Sequence, residues 1–514
     1  MKNLSLILNL DVKVRDCEGA DFVFFRGKCP KSNDFIDSDE EVFFIKEKYL
    51  YRLNLAKGTT KVISLSDVYD SGASQILSIT YNEITEEFYS FHRDGEVFSF
   101  RVSSDGSTAT GQISQTIEGG ITAVVWSPDE EFGALVNSKN ELFILTANCD
   151  VMNYWDLQDD TEGEHQFINV GWGKKETQFQ GSAGKAAAYA KPEQVNADEV
   201  KDEKSVRVSW RGDSSIFAVS YWDTRDNKRK IKIFSREGLL QCCGEDIAGL
   251  EEPLCWRPQG NITMVQRLPN KHVIAFMEKN GLKHYDFPLP DGLTVVDLYW
   301  NQDSQILCSY CIEAKTESPL LLMWTTKNYH WYLKYTYTCP SPPVSVMWDC
   351  KRENRLKIAY NNGNVNVLEF IWSVDHSGYS SSDDKSYISV IDNDTLLVSQ
   401  FSAAVVPPPM SMWSLKFDDP VLQICYPLQA SIYSLAAICG EHIGLITKDA
   451  DNELAIKKRL KIDADGINLK HSYSWLWIEE QTFACCTPNA DLQTDLLLMH
   501  TIDDQLNLKQ VFNL

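Results

Sequence analysis

Short apolar or alternating runs, broken by Gly, Asn and Asp turns, follow one another along this chain, and no stretch holds the period of an amphipathic helix. The pattern predicts an all-β fold of antiparallel hairpins. One kind of run repeats, an apolar strand that ends on an aromatic residue and passes into a polar turn. It occurs at 76–81, 121–126, 206–210, 253–256, 296–300 and 344–348, ending on Tyr81, Trp126, Trp210, Trp256, Trp300 and Trp348. The intervals between these anchors are 45, 84, 46, 44 and 48 residues. Four of the five match the length of a propeller blade, about 40–45 residues. The long one is a blade plus an insertion of roughly 38 residues, by subtraction. Further strands complete the units, at 132–136 and 142–145 after Trp126 and at 216–219 and 231–234 after Trp210.

One blade cannot bury both of its faces, whereas blades stacked around an axis can. The expected architecture is therefore a WD40-like β-propeller of about seven blades over 1–372, with an inserted loop at 150–204. The Gly-His and strand-terminal Trp-Asp dipeptides of that class are mostly missing, since Trp155-Asp156 and Trp222-Asp223 stand elsewhere, so the repeat is degenerate. An acidic, Ser-rich stretch marks 373–390 as a linker or long loop. Strands resume over 391–514, with room for about three blades where propellers take at least four. The expectation is a partial second β-propeller, with the chain a fragment or a truncated form. At the start, Asn3 and Asn9 interrupt the apolar run, which favours a first strand over a signal peptide.

Composition narrows the function. Lys plus Arg is 49 against 72 for Asp plus Glu, a net charge of −23, which argues against broad contact with nucleic-acid phosphates, DNA included. No run reaches the length of a membrane-spanning helix, so no membrane contact is expected. The 14 Cys follow no disulfide framework and read as reduced thiols in a cytoplasmic or nuclear protein. Cys308 and Cys311 have the spacing of a zinc half-site but sit on a strand, where residues three apart point to opposite faces. Neither a cofactor site nor a catalytic constellation emerges. A propeller enzyme would need a polar catalytic cluster at one mouth of its axis.

Two segments stand out as candidate sites. The insertion carries Gly171, Trp172, Gly173, Lys174, Lys175, Glu176, Thr177, Gln178, Phe179 and Lys185. It is not a phosphate-binding loop, because Phe179 stands where the first Gly belongs and Ala186 where the hydroxyl residue belongs. A Gly-rich loop anchored by apolar residues suits partner docking or an interdomain strut. The second segment is the basic run Arg225, Lys228, Arg229 and Lys230, continued by Lys232, between two strands of one blade. Its plain reading is a solvated hairpin tip with edge-blocking charges. The functional alternative is an RNA-binding propeller that contacts tRNA or an acidic surface there, weakened by salt.

The run from Val170 through Phe179, followed by Gly181-Ser182 and Gly184-Lys185, closely resembles the signature loop of the largest Elongator subunit family, with Gln180 in place of an expected His. That resemblance implies a non-catalytic scaffold that supports carboxymethyl-type modification of the tRNA wobble uridine. The implied partners are a catalytic subunit, like a radical-SAM enzyme joined to an acetyltransferase, and a second propeller subunit. Contact with tRNA is then indirect. The family's dimerisation region lies outside this chain, which predicts a monomer here and a dimer for the full-length family member.

Overall fold

The computed structural model describes residues 2–13, 23–24, 41–161 and 202–513, apart from short breaks at 47, 55–58, 70–73, 83–84, 104–107, 160, 270, 350–351, 379–384, 429–430, 441, 463–470, 489–493 and 503–504. The described residues form strands joined by turns, and their sheets are antiparallel hairpins four strands deep. Seven such sheets follow in sequence. The first begins at Val23–Phe24, and the next five begin at Ile76–Asn82, Ile121–Trp126, Arg207–Trp210, Leu250–Trp256 and Leu293–Trp300. The seventh takes Pro343–Trp348, Arg355–Tyr360 and Asn364–Ser373, and its fourth strand is Asn3–Lys13 from the start of the chain. The leading strands of the seven sheets touch one another in turn, and the first touches the seventh, so the ring is closed. Closure by a strand from the opposite end of the sequence removes the open seam that a linear stack of blades would leave.

The aromatic anchors explain the repeat. The five Trp anchors end the leading, innermost strands of their blades, and Tyr81 stands one residue before the end of its own. Trp210 Nε1 donates to the Val125 carbonyl of the preceding blade at 3.0 Å, Trp300 Nε1 to Thr263 Oγ1 at 2.7 Å, and Trp348 Nε1 to the Tyr299 carbonyl at 3.1 Å. The large ring fills the wedge between neighbouring blades while its one donor joins them. Trp256 departs from the pattern and bonds the Gly260 carbonyl within its own blade, at 2.9 Å.

Two boundaries differ from the sequence expectation. Val151–Asp156 is the fourth strand of blade 3, so the insertion begins after it rather than at 150. Trp155 pairs with Leu142 there and helps to fill the interface with blade 4. Within 373–390, Asp375–His376 pairs with Tyr387–Asp392, so the stretch read as linker contributes strand to the next sheet.

Beyond the ring lie three further sheets, led by Asp375–His376, Val421–Cys425 and Tyr473–Glu479. The last two join edge to edge where Lys461 and Ile462 pair in parallel with Gln505 and Leu506. These sheets lie against the outer strands of blades 6 and 7. Asn3 is the pivot of that contact. Its Nδ2 donates to Asp375 Oδ2 at 2.7 Å and to the Ser389 carbonyl at 2.9 Å, while its Oδ1 accepts from the Ile391 amide at 2.9 Å. Lys334 adds a buried amino group, donating to the Ile391 carbonyl at 2.7 Å and to Asn3 Oδ1 at 3.2 Å. Asn9 Nδ2 reaches the His471 carbonyl at 3.3 Å.

Candidate functional site: the root of the insertion

The docking-loop candidates Gly171, Trp172, Gly173, Lys174, Lys175, Glu176, Thr177, Gln178, Phe179 and Lys185 lie outside the described residues. Both ends of the segment that carries them are described, and both are held by one strand. Lys228–Ser235, the third strand of blade 4, places alternate side chains on opposite faces. Arg229 and Lys232 are buried on it among apolar neighbours.

Arg229 binds Asp202 with a two-pronged contact, Nε to Oδ2 and Nη2 to Oδ1, both at 2.6 Å. Its remaining donors reach the Ser205 carbonyl at 2.9 Å and Ser220 Oγ at 3.1 Å. A planar guanidinium suits this geometry, because its fixed fork matches the two carboxylate oxygens. Lys232 Nζ donates to the Asp159 carbonyl at 2.6 Å and lies 5.9 Å from the centre of the Tyr221 ring. Burial pulls its ammonium below the ordinary lysine value. Gln158 Nε2 and Asn140 Nδ2 both bond the Trp222 carbonyl at 3.3 Å, and Lys204 sits 5.2 Å over the Trp222 ring. Chain entering and chain leaving the insertion therefore meet on the same few residues of blade 4.

The other cations of the basic run are engaged with carboxylates nearby. Arg225 Nη2 lies 3.1 Å and Lys230 Nζ 2.7 Å from Asp223 Oδ2, and Lys230 also pairs with Asp226. Lys228 pairs with Asp246. Burial of Asp223 acts to raise its pKa, but the hydrogen bonds from Arg225 and Lys230 outweigh it and hold the carboxyl well below the usual range. Arg225, Lys228 and Lys230 reach the surface, whereas Arg229 lies wholly out of solvent, away from the hairpin tip where the sequence placed it. The same residues line a recess of about 340 Å³ together with Asp159, Thr161 and Glu245. Each cation already has an acceptor there, so the recess offers no cluster of free positive charge to a phosphate.

Sequence reasoning missed a second polar group, on the leading strands of blades 4, 5 and 6. Arg207 Nε donates to Glu252 Oε1 at 2.9 Å and Nη1 lies 3.4 Å from Asp297 Oδ2, which accepts from Tyr299 OH at 3.1 Å. No signal in one sequence relates residues 45 apart, except the blade register itself. The group's one hydroxyl, Tyr299, is bonded to Asp297, but burial raises that phenol well above its ordinary value, away from a reactive phenolate. The group ties three blades together by charge. The Cys308 and Cys311 pair is structural in placement: the two face different cores, and burial pushes the Cys311 thiol up to about 12.

A closed seven-bladed ring followed by further four-stranded blades defines a tandem β-propeller protein. The family model for the ELP1 first N-terminal beta-propeller matches residues 1–351, and that for the ELP1 N-terminal second beta-propeller matches residues 390–513. Elongator complex protein 1 of Rattus norvegicus is 33% identical over 380 residues, covering 71% of this chain and 27% of the relative. The Drosophila melanogaster protein of the same name is 34% identical over 394 residues, covering 75% and 29%, and that of Saccharomyces cerevisiae is 30% identical over 371 residues, covering 65% and 27%. The chain belongs to the Elongator complex protein 1 family and corresponds to under a third of the length of these relatives.

Proposed function

We propose that this chain is a non-catalytic scaffold of an Elongator complex, organising the subunits that place carboxymethyl-type modifications on the tRNA wobble uridine. Its partners in this reading are a catalytic radical-SAM/acetyltransferase-like subunit and a second propeller subunit. The site of action is the cytoplasm, with the nucleus as a second compartment. The observation that carries the reading is the succession of the two matched propellers in the family's order. A ring closed by its own first strand is a rigid platform, and its loops are free to vary for docking. The Arg229–Asp202 and Lys232–Asp159 contacts fix where the segment bearing residues 171–185 leaves that platform.

The test is affinity purification of the chain from its native cells, with mass spectrometry, comparing the intact protein with a deletion of 171–185. Recovery of the catalytic and second propeller subunits, lost on deletion, supports both the scaffold and the docking role of the loop. Recovery that survives deletion keeps the scaffold and removes the loop from docking. Recovery of tRNA without those proteins favours direct RNA binding through Arg225, Lys228 and Lys230, a reading against which their ion pairs already weigh.

A further inference from the structure

Where blade 6 meets the next sheet, a surface without charge is built from two hairpin loops. The strands Pro319–Lys327 and His330–Thr338 pair up to Lys327 opposite His330, leaving a two-residue turn of Asn328 and Tyr329. Both residues have positive φ, 53° and 61°. This is the turn in which Asn followed by Gly is preferred, because a side chain on the second residue is crowded in the left-handed conformation. Here the second residue is Tyr329, with a relative exposure of 107%. A large ring therefore occupies a strained position and gains no burial within the chain.

The turn that carries the ring is joined to an apolar loop. Asn328 Nδ2 donates to the Pro408 carbonyl at 2.8 Å, tying the turn to the loop between Thr395–Gln400 and Trp413–Lys416. That loop exposes Val405 at 71% and Met410 at 63%, with Met412 at 37% beside them. It is held in shape by its own hydrogen bonds, Ala403 N to the Gln400 carbonyl at 3.0 Å, Ser402 Oγ to the Lys385 carbonyl at 2.7 Å and Met412 N to the Val398 carbonyl at 3.1 Å. Not one residue from 395 to 415 is charged, in a chain that is 24% charged. An ordered, exposed, apolar surface anchored by a tyrosine has the makeup of an interface core.

We propose that Tyr329, Val405 and Met410 form a docking site for an apolar segment of another Elongator subunit that carries acidic residues at its flanks. The proposal rests on the Elongator reading above. The acidic flanks follow from the rim. Lys327, exposed, borders the turn, and Lys448 borders the loop, its Nζ donating to Gln400 Oε1 at 3.0 Å; neither meets a carboxylate among the described residues. In a chain of net charge −23 two such lysines mark a face that a negative partner fits. A second copy of the chain fits less well, since it would bring the same lysines to the same interface. The methionines suit a partner of irregular shape, because their side chains adapt.

The experiment reconstitutes the complex from the chain and the other purified Elongator subunits, and measures affinity by calorimetry at low and high salt. Tyr329→Gly relieves the turn as it removes the ring, so the expected result is roughly 30-fold weaker binding with an equal or higher melting temperature. Val405→Asp with Met410→Asp, both on exposed positions, gives the same loss, and salt weakens the original interaction several-fold. Assembly that is unchanged in both variants overturns the docking site and leaves the scaffold reading standing. Failure of the unaltered chain to assemble overturns both. A salt-independent affinity removes the acidic flanks. A dimer of the chain in sedimentation that Tyr329→Gly dissolves assigns the surface to self-association instead.

Discussion

Asp202→Ala tests the account of the insertion root most directly. Arg229 has 0% side-chain exposure and Asp202 2%, so the substitution strands a guanidinium in the blade interior with only Ser220 Oγ and the Ser205 carbonyl as acceptors. Removing one partner of a buried pair costs about 3–5 kcal/mol, chiefly from the charge left behind. At about 1.4 kcal/mol per tenfold, a loss near 4 kcal/mol is close to a thousandfold in an opening equilibrium. A chain of this many blades is not a two-state system, so a single unfolding free energy is the wrong readout. Native-state amide exchange is the right one, because it reports local opening. Amides of Ile231 and Ile233, on the same strand as Arg229, should exchange on the order of several hundredfold faster in Asp202→Ala. Arg229→Met in the same protein should restore most of the protection, since an apolar side chain of similar length replaces the stranded charge. Exchange in Asp202→Ala within about threefold of the original would falsify the claim that this pair holds the insertion to blade 4.

Lys334 gives a pH dependence with a definite sign. Burial pushes its pKa down to about 7 from 10.5. Between those values the unfolded lysine keeps a proton that the folded one releases, so stability rises with pH across that window and is lost as pH falls toward 7. Urea midpoints between pH 6.5 and 9.5 should climb in the original and climb less in Lys334→Met; equal slopes contradict the assignment. The anchor tryptophans give a contrast. Trp300→Phe leaves the buried Thr263 hydroxyl without its donor and should cost about 1–2 kcal/mol. Trp126 Nε1 is buried with no acceptor among the described residues, so Trp126→Phe should cost less, both read as local opening by amide exchange on the blade's own strands.

The blade count was legible because the anchors do one job repeatedly. A ring that must end each innermost strand and fill a wedge recurs at the blade spacing, whatever the rest of the blade does, and Trp210, Trp300 and Trp348 also bond the preceding blade. The edges of the insertion were not legible, because Val151–Asp156 is an outermost strand with exposed Val151, Met152 and Tyr154, and such a strand lacks the alternation that burial imposes. Arg229 looked like its neighbours for a related reason. Four basic residues near a turn read alike, and what separates one is a carboxylate 27 positions earlier, across the insertion. Local pattern carries burial on a strand's own faces, but not the identity of a partner brought in by the chain's path.

The first strand shows how a polar exception in an apolar run can carry long-range information. Asn3 and Asn9 have side chains 372 and 462 positions away from the groups they meet at Asp375 and His471. Both are almost fully buried, Asn3 at 0% and Asn9 at 1%. A buried amide without partners costs more than it returns, so a strand whose only task was to close the ring would carry apolar residues at these positions. Asn3 instead has both ends of its amide engaged, with Asp375 and the Ser389 carbonyl on one side and Ile391 and Lys334 on the other. The strand that closes the first propeller is thus also the strand that positions the sheets beyond it. Its own Asn side chains, rather than a backbone ladder, join it to those sheets, which fixes their placement without extending blade 7 into a fifth strand.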